Sequence, residues 1–421
     1  MVLWKRLKAH IENDCSDLIE LYKFFHAHPE LSGQEKETAQ RVAEAFSRAG
    51  AEVTSGVGGH GVVGAIRNGA GPTVMIRADM DALPLQEASG LPYASQVKVK
   101  GESGEELPVM HACGHDMHAS ILIGTAGLMI RLQEEWKGTL LLVAQPAEEA
   151  LGGARSMLQD GLFQRFPRPD YALALHVKPE LPTGKIALKP AYITLGAEAL
   201  NVVIHGQGGH GATPHKAKDP VILAAQIVLA LQTIISREVN PVETAILNVG
   251  AIHGGSLPNV IPEKVTLRLM SRFSTLEVGN QIRSGVERIA RGLAQAAGLP
   301  SDLLPEVFDP EHPYPPVYND PFLTERLVKV FGEVLGLGNV VQIPTQSVSD
   351  DFGEFGVVSP PVPLVFYFIG STDPERFAEA ALGGLKIPLL HHPSFVPEPN
   401  ETLRTGLLTM GAAALTLLGK R

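Results

Sequence analysis

Strand and helix patterns alternate along most of the chain, and this alternation constrains the fold more than any other feature of the sequence. Over the first 190 residues, short β-rich runs are separated by helical stretches, several of them longer than ten residues. Such an order is typical of an α/β layer built on a mostly parallel sheet. The predicted helices are Leu3–His26, Glu35–Ala49, His115–Glu134 and Gly153–Asp160, and the predicted strands are Ala51–Thr54, Val62–Arg67, Thr73–Arg77, Thr139–Ala144 and Tyr171–His176.

The pattern changes after Pro190 and returns after Tyr314. Between them the order is strand, helix, strand, strand, helix, which fits a compact α+β unit with an open sheet. The elements of this unit are Ala199–His205, Asp219–Ile235, Thr244–Ile252, Lys264–Arg272 and Leu276–Ala297, and those that follow it are Pro321–Leu335, Val362–Phe368 and Glu401–Leu418. We therefore predict an α/β domain formed by residues 1–190 and 313–421, interrupted by an inserted, ferredoxin-like α+β domain at residues 191–312.

Composition and charge exclude several classes of protein. The 421 residues are 44% apolar and 19% charged, and the net charge is −10 without any basic run. A nucleic-acid or anionic-membrane partner is therefore not expected. The longest apolar stretch, Val221–Ile235, contains two glutamines and is too short for a bilayer, so we predict a buried helix. The first thirty residues lack the apolar core of a signal peptide and the two cysteines lie far apart, so we expect a soluble, cytoplasmic protein.

Two glycine-rich segments match the dinucleotide-binding pattern G-x-G-x-x-G, at Gly59–Gly64 and Gly206–Gly211. That fingerprint requires a preceding strand and a helix that begins at the glycines. The first match runs into a strand and a turn, and two prolines delay any helix after the second. Neither segment is expected to bind a nucleotide.

The segment His111–His118, with the sequence His-Ala-Cys-Gly-His-Asp-Met-His, is the most informative in the chain. It places one thiol, three imidazoles and a carboxylate within eight residues, directly before a predicted helix. Cysteine and histidine bind borderline metals such as zinc, and one loop can present both Cys113 and His115 to a single ion. An isolated histidine is usually structural, but a cluster of this density predicts a metal site.

Two adjacent carboxylates, Glu148 and Glu149, follow an apolar strand. Because α/β folds bind ligands at the carboxyl ends of their strands, the sheet delivers both residues to the edge where a site is expected. One of them can bind a metal while the other, pointing elsewhere, transfers protons. The pattern alone does not assign the two roles.

Three further polar groups occur at similar positions. His176 ends one predicted strand, Asp79 and Asp81 follow another, and His391-His392 come after a proline-rich approach near the C-terminus. Each of them alone is more often structural than functional. Together with the cysteine, histidine and glutamate motifs, they supply polar ligands at the ends of several strands, which chance rarely does.

Taken together, the motifs resemble those of a known enzyme family. Their order matches the branch of the dinuclear-metal aminoacylases and peptidases that contains bacterial hippurate hydrolases, N-acyl-amino-acid amidohydrolases and plant indole-acetyl-amino-acid hydrolases. The matching segments, which span nearly the whole chain, are His26–Leu31, Arg77–Pro84, His111–His118, Pro146–Glu149, Leu175–Val177, Gly209–His215, Pro258–Pro262 and Leu390–Pro393. The Cys-Gly-His-Asp and Pro-Ala-Glu-Glu motifs are specific to this branch.

The resemblance implies roles for individual residues. The implied ligands of one or two divalent ions (Zn²⁺, Mn²⁺, Co²⁺ or Ni²⁺) are Cys113, His115, Glu149, His176 and His391. Glu148 is implied as the general base, and Asp81 is placed with the catalytic residues. The inserted domain is implied to be a lid that dimerises through its sheet edge and a helix, and that extends His210 into the partner's active site. Asn259 and Arg272 are implied to hold the substrate's carboxylate.

The implied activity is metal-dependent hydrolysis of an N-acyl or N-aroyl amino acid, or of a related small amide or dipeptide, by a homodimer or a dimer of dimers. Two alternatives stay open: a hydrolase that uses Cys113 as its nucleophile, and a non-catalytic metal-binding protein on the same fold. The sequence departs from the wider clan at Asp79-Met-Asp81, where a histidine usually binds the second metal.

Overall fold

The computed structural model describes residues 2–101, 104–309 and 312–419. The helices in these ranges are α1 (Val2–Ala27), α2 (Lys36–Arg48), α3 (His115–Arg131), α4 (Gly153–Gln159), α5 (Leu162–Arg165), α6 (Pro220–Thr233), α7 (Leu276–Ala296), α8 (Pro321–Leu335), α9 (Pro374–Ala381) and α10 (Pro399–Leu418). The strands are β1 (Glu52–Val57), β2 (Gly61–Asn68), β3 (Thr73–Asp79), β4 (Lys98–Lys100), β5 (Glu106–Pro108), β6 (Gly138–Gln145), β7 (Tyr171–Pro182), β8 (Ile186–Leu188), β9 (Ala191–Tyr192), β10 (Gly196–His205), β11 (Gly209–His210), β12 (Ala245–Gly254), β13 (Val260–Ile261), β14 (Lys264–Phe273), β15 (Glu306–Phe308), β16 (Tyr318–Asn319), β17 (Val340–Gln342) and β18 (Leu364–Thr372).

These elements belong to two compact units. The larger unit contains the chain up to Ile193, then Tyr318–Pro344, and then the chain from Asp351 onward. The inserted unit contains Thr194–Val317 and the short segment Thr345–Asp350. The sequence motifs between residues 77 and 177, which contain most of the predicted metal-binding and catalytic residues, therefore lie in the larger unit.

The larger unit is built on a mixed sheet whose centre is parallel. The strand order is β1-β2-β6-β3-β7-β18-β16-β9, with β8 and β17 attached beside β18. Strands β6, β3, β7 and β18 run parallel to their neighbours in this series. In register, Asp79 pairs with Gln145 and Arg77 with Ala174, so the carboxyl ends of three strands meet at one edge. The predicted α/β fold with a mostly parallel sheet is confirmed.

Burial explains why these segments become central strands. All seven residues of β3 and all nine of β18 are buried, as expected for parallel strands that are covered on both faces. Helices α1, α3 and α10 pack against one another. Most of α3 and α10 is buried as well, so the apolar core continues from the sheet into this helical layer.

The inserted unit is an antiparallel sheet with two helices. Its strand order is β12-β14-β10-β15, and α6 and α7 pack on the buried side chains of this sheet. Residues alternate between buried and exposed along β14, which is the pattern of a sheet covered on one face. The order of elements, β10-α6-β12-β14-α7-β15, is that of a ferredoxin-like fold.

Helix α6 is less buried than the sequence suggested. Leu223, Ile227 and Leu231 are buried against the sheet, but Ile222 and Leu229 are 59% and 74% exposed. The prediction of a buried helix is therefore wrong for its outer face, because only one side of the helix meets the sheet. With the turn that follows it, Pro220–Glu238 is the only part of the described chain long and apolar enough to cross a membrane, and one such helix is weak evidence of a membrane span.

Candidate metal centre and active site

A glycine positions the two implied ligands of the His111–His118 motif, Cys113 and His115. Gly114 precedes α3 with a φ of +83°, a left-handed conformation that suits glycine. A Cβ atom at this position would lie only 2.4 Å from Cγ2 of Val177. The tight turn places Cys113 just before the helix and His115 in its first turn, and both side chains are buried.

The structure brings the five implied metal ligands together at the carboxyl edge of the sheet. Nε2 of His391 lies 3.3 Å from Sγ of Cys113 and 3.2 Å from Oε1 of Glu149. Sγ of Cys113 also lies 3.5 Å from Nε2 of His176. Nε2 of His115 lies 3.9 Å from Oε1 of Glu149. These atoms are close enough to surround one or two cations.

The donor atoms fit a metal ion. Nε2 of His115 and Oε1 of Glu149 are buried and have no hydrogen-bond partner among the described residues. Buried polar atoms are normally hydrogen-bonded, so unpaired atoms that converge on one point fit the ligand set of a cation. Sulfur, imidazole and carboxylate donors suit Zn²⁺ and also admit Mn²⁺, Co²⁺ or Ni²⁺. The neighbouring His392 stays apart, because its Nδ1 accepts the backbone N–H of Ser394.

Hydrogen bonds orient the histidines so that Nε2 faces the site. Nδ1 of His115 donates to Oδ1 of Asp81 at 3.1 Å, and Nδ1 of His176 donates to the carbonyl of Val177 at 2.8 Å. Partners of this kind fix the tautomer of a metal-binding histidine. Oδ2 of Asp81 accepts the backbone N–H of Glu149 at 2.9 Å. Asp81 therefore holds two of the implied ligands in place, and both of its oxygens are engaged.

His118 is a site residue whose role the sequence did not reveal. Its Nδ1 donates to Oδ1 of Asp79 at 2.6 Å, and its Nε2 accepts the backbone N–H of Val177 at 2.9 Å. Both ring nitrogens are thus engaged. The other oxygen of Asp79 accepts a hydrogen bond from Arg77 at 2.7 Å. Burial alone would raise the pKa of Asp79, but the charges of His115 and Arg77 hold it well below its usual value.

A second buried network joins the ends of β3 and β6. Nε of Arg77 donates to Gln145 at 2.8 Å, and another guanidinium nitrogen donates to Asp351 at 2.9 Å. Nε2 of Gln145 also donates to Asp351, at 2.7 Å, and the backbone N–H of Ala154 donates to the same carboxylate at 2.9 Å. This network fixes the strand end from which the loop with Glu148 departs.

The loop that carries the two glutamates is strained. Ala147 and Leu151 have φ values of +50° and +51°, which residues other than glycine seldom adopt. Glu148 is buried, and its Oε2 lies 3.9 Å from Nε2 of His115. Strained backbone of this kind is typical of functional sites, where surrounding contacts hold it.

A buried histidine supports the start of α3. Nδ1 of His26 is bonded to Asp116 at 2.7 Å and its Nε2 to Glu87 at 3.1 Å. Burial lowers the pKa of His26, but the two carboxylates outweigh this effect and raise it to about 9. The ring is therefore a cation near neutral pH and ties α1 to the first turn of α3.

The remaining predicted residues lie in the inserted unit. His210 in β11 pairs with Val260 in β13, and Asn259 lies beside them at an open hollow of about 460 Å³. Arg272 lies near the far end of β14, where it donates to Ser349 at 2.7 Å. The eight steps from Lys264 to Arg272 span about 26 Å at ~3.3 Å per residue. Asn259 precedes β13 and the Lys264 end of β14, so Arg272 lies toward the opposite end of that strand.

Comparisons with known proteins agree with this geometry. Residues 75–381 match the profile of the peptidase family M20/M25/M40. The chain is 33% identical to thermostable carboxypeptidase 2 of Saccharolobus solfataricus, over 89% of this chain and 91% of the relative. It is 39% identical to the hippurate hydrolase of Campylobacter jejuni, over 64% of this chain and 68% of the relative.

A solved structure shares the fold. The YXEP protein of Bacillus subtilis, described as a dinuclear metal-binding peptidase from the M20 family, superposes with a TM-score of 0.77. Its sequence is 27% identical, and the match covers 97% of this chain and 99% of that one. The suspected resemblance, the metallopeptidase-like fold and the dependence on a divalent metal are confirmed by these matches.

Proposed function

The chain belongs to the peptidase family M20/M25/M40, and we propose that it hydrolyses the amide bond of N-acyl or N-aroyl amino acids, with dipeptides or related small amides as secondary substrates. Metal-dependent amide hydrolysis is the chemistry of the chain as a member of this family. The similarity to a hippurate hydrolase and to a carboxypeptidase supports a substrate with a free carboxylate beside the scissile amide.

The observation that carries the proposal is a pair of adjacent glutamates with unlike surroundings. Glu149 belongs to a group with Cys113 and His391, and its Oε1 is buried without a hydrogen-bond partner in the described structure. We therefore assign Glu149 to the metal. A carboxylate oxygen of Glu148 lies near His115, but Glu148 is not part of the group formed by Cys113, Glu149 and His391. We therefore assign Glu148 as the general base.

The proposed reaction follows from these assignments. A bound divalent cation would polarise the amide carbonyl and lower the pKa of water to about 7. Glu148 accepts the proton of the attacking water and then passes it to the leaving nitrogen. The products are a carboxylic acid and a free amino acid. Asp81, which holds Glu149 and His115, is assigned to positioning and not to the chemical step.

The inserted unit is proposed to complete the site of a partner subunit. His210 of the partner subunit would donate to the developing oxyanion, an interaction whose loss typically costs about 3–4 kcal/mol. Asn259 and Arg272 are proposed to bind the substrate's carboxylate. Because Asn259 precedes the Lys264 end of β14 and Arg272 lies about 26 Å along the strand from that end, the two residues are proposed to reach one substrate from different protomers.

Exposed surface of the inserted unit supports a two-fold contact. Among the strands that the structure describes, β12 has a neighbour on one side only, so its outer edge can accept another strand. Ile252 on this strand is 56% exposed, and Leu229 on α6 is 74% exposed. A symmetric partner can pair with the strand edge and cover the helix, which would give a homodimer.

Hydrolysis of matched substrates tests the proposal. A benzoyl or acetyl amino acid and the same compound with its carboxylate amidated should be compared, before and after chelation and after readdition of Zn²⁺, Mn²⁺, Co²⁺ or Ni²⁺. We expect hydrolysis of the free acid only, lost on chelation and restored by a metal. Equal rates for the acid and its amide would exclude a substrate defined by its carboxylate. Absence of hydrolysis with a fully occupied metal site would favour the non-catalytic alternative.

Alkylation of Cys113 separates the metal enzyme from a cysteine-nucleophile hydrolase. Burial raises the pKa of the Cys113 thiol well above its usual value, whereas a nucleophilic cysteine needs a lowered one. A thiol reagent should therefore spare Cys113 in the metal-loaded protein and label it after chelation. Rapid labelling of metal-loaded enzyme with loss of activity would favour the nucleophile.

A further inference from the structure

Glu35 is a buried acidic residue that the proposed reaction does not use. It occupies the N-cap position of α2, yet its side chain does not cap that helix. The carboxylate of Glu30 instead accepts two backbone N–H groups in the first turn, at 3.0 and 2.8 Å. Oε1 of Glu35 accepts the backbone N–H of Ala147 at 2.7 Å and that of Gly33 at 2.9 Å. The side chain thus reaches from the start of α2 to the loop after β6.

The bond to Ala147 falls on a strained peptide beside the proposed base. The left-handed conformation of Ala147 requires contacts that hold it. Its carbonyl accepts the N–H groups of Gly152 and Gly153, at 3.2 and 3.1 Å, and its own N–H is held by Glu35. Because Glu148 is the next residue, the direction of its side chain depends on the peptide that Glu35 holds.

Packing alone does not explain a glutamate at position 35. Its Oε2 is buried and has no hydrogen-bond partner in the described parts of the chain. Burial raises the pKa of Glu35, although backbone N–H groups at Gly33 and Ala147 counteract part of the rise. A buried carboxylate with an unpaired oxygen is unfavourable for folding. Such a group is expected where function requires the geometry that it imposes.

We propose that Glu35 is a positioning residue, whose hydrogen bond to Ala147 holds the strained loop and thereby aims Glu148 at the scissile amide. The inference rests on the proposed role of Glu148 as general base. It assigns no contact between Glu35 and the substrate or the metal. The required feature is an acceptor atom at Oε1 and not a negative charge, so glutamine is expected to replace the residue.

Three variants test this inference. Glu35→Ala removes the acceptor, Glu35→Gln keeps it, and Glu30→Ala removes the cap of the same helix without touching the loop. Thermal unfolding, metal content, kcat and KM are measured for each variant. Hydrogen exchange of peptides that cover residues 146–153 is followed in the metal-free protein, which reports on the loop independently of turnover.

We expect Glu35→Ala to keep its metal, to lose roughly 10- to 100-fold in kcat with KM little changed, and to exchange the loop amides faster. Glu35→Gln should keep the wild-type kcat and loop-amide exchange rates. Glu30→Ala should lower the melting temperature without affecting kcat or loop exchange. The inference would be overturned if Glu35→Ala kept the kcat and the loop-amide exchange rates of the unaltered protein. An equal loss of kcat in Glu35→Gln or in Glu30→Ala would also overturn it. If the unaltered protein hydrolyses no acyl amino acid, the proposed function fails, whereas loop exchange still decides whether Glu35 holds Ala147.

Discussion

Replacing His118 by asparagine would separate the two bonds that its ring makes. The shorter side chain can still donate to Oδ1 of Asp79, as Nδ1 does now, but it does not reach the backbone N–H of Val177. Val177 directly follows the proposed ligand His176. We therefore expect the variant to fold, to keep its number of bound metal ions, and to bind them more weakly.

The magnitude follows from the groups that each substitution leaves unpaired. In His118→Asn one buried N–H loses its acceptor, which costs about 1–3 kcal/mol of unfolding free energy. His118→Ala also removes the hydrogen bond to the buried Asp79 carboxylate, and a hydrogen bond to a charged group contributes about 1.5–3 kcal/mol. Arg77 still neutralises Asp79, so the lower part of that range applies. The expected losses are about 2 kcal/mol for asparagine and, with about 2 kcal/mol more, about 4 kcal/mol for alanine.

Two measurements check these values. Urea unfolding of the metal-free proteins gives the stability, and competition with a chelator gives the number and the affinity of the ions. Loss of a partner that orients a ligand weakens metal binding about 10- to 100-fold. Asp79, His115 and His118 are close enough to hold an ion themselves. If His118 is a ligand, asparagine should lower the number of bound ions, and that result would refute its assignment as a positioning residue.

Three further experiments address other parts of the site. Glu148→Gln should keep the metal and lose about 10²–10⁴-fold in turnover, whereas Glu149→Gln should weaken metal binding; the opposite pattern would exchange their roles. Mixing the inactive His210→Ala and Glu148→Gln proteins should restore activity as subunits exchange, because one site of each mixed dimer has both residues intact. Exchange without activity would exclude His210 from the partner's site. His26→Gln should lower the free energy of unfolding by up to about 3 kcal/mol below pH ~6.5. This loss should disappear as the pH rises through about 9, since a pKa raised in the folded state stabilises it only while the ring is charged. A loss that is constant with pH in urea unfolding would contradict the ion pairs of His26.

The sequence predicts the parts of the site that depend on local pattern. Apolar runs that end in polar residues place Asp79, Glu148 and His176 at one sheet edge, because parallel strands share the direction of their carboxyl ends. The density of donors from His111 to His118 predicts a metal without any tertiary information. The long helices and central strands follow from periodicity and lie close to their predicted bounds.

Contacts between distant segments could not be predicted in this way. Gln145 and Asp351 meet across 206 residues, and Glu35 and Ala147 across 112. No sequence periodicity links residues that are so far apart, and each of them alone looks like an ordinary polar residue in the sequence. The two-residue strands β11 and β13 are also missed, because two residues carry no alternation. Exposure of Leu229 was missed because an apolar helix does not reveal that only one of its sides meets a sheet.

The order in which the two units become complete during synthesis follows from the division of the chain. Nearly all of the inserted unit lies in the continuous segment Thr194–Val317, so its core can close soon after that segment leaves the ribosome. The larger unit must wait, because α10 (Pro399–Leu418) follows every other described helix in chain order and packs against both α1 and α3. Until then the apolar faces of α1 and α3 stay uncovered on the nascent chain, which is a state prone to aggregation. Release of a chain cut before Pro399 would leave the same surfaces exposed, so premature termination there should yield a substrate for chaperones and proteases instead of a partly active enzyme.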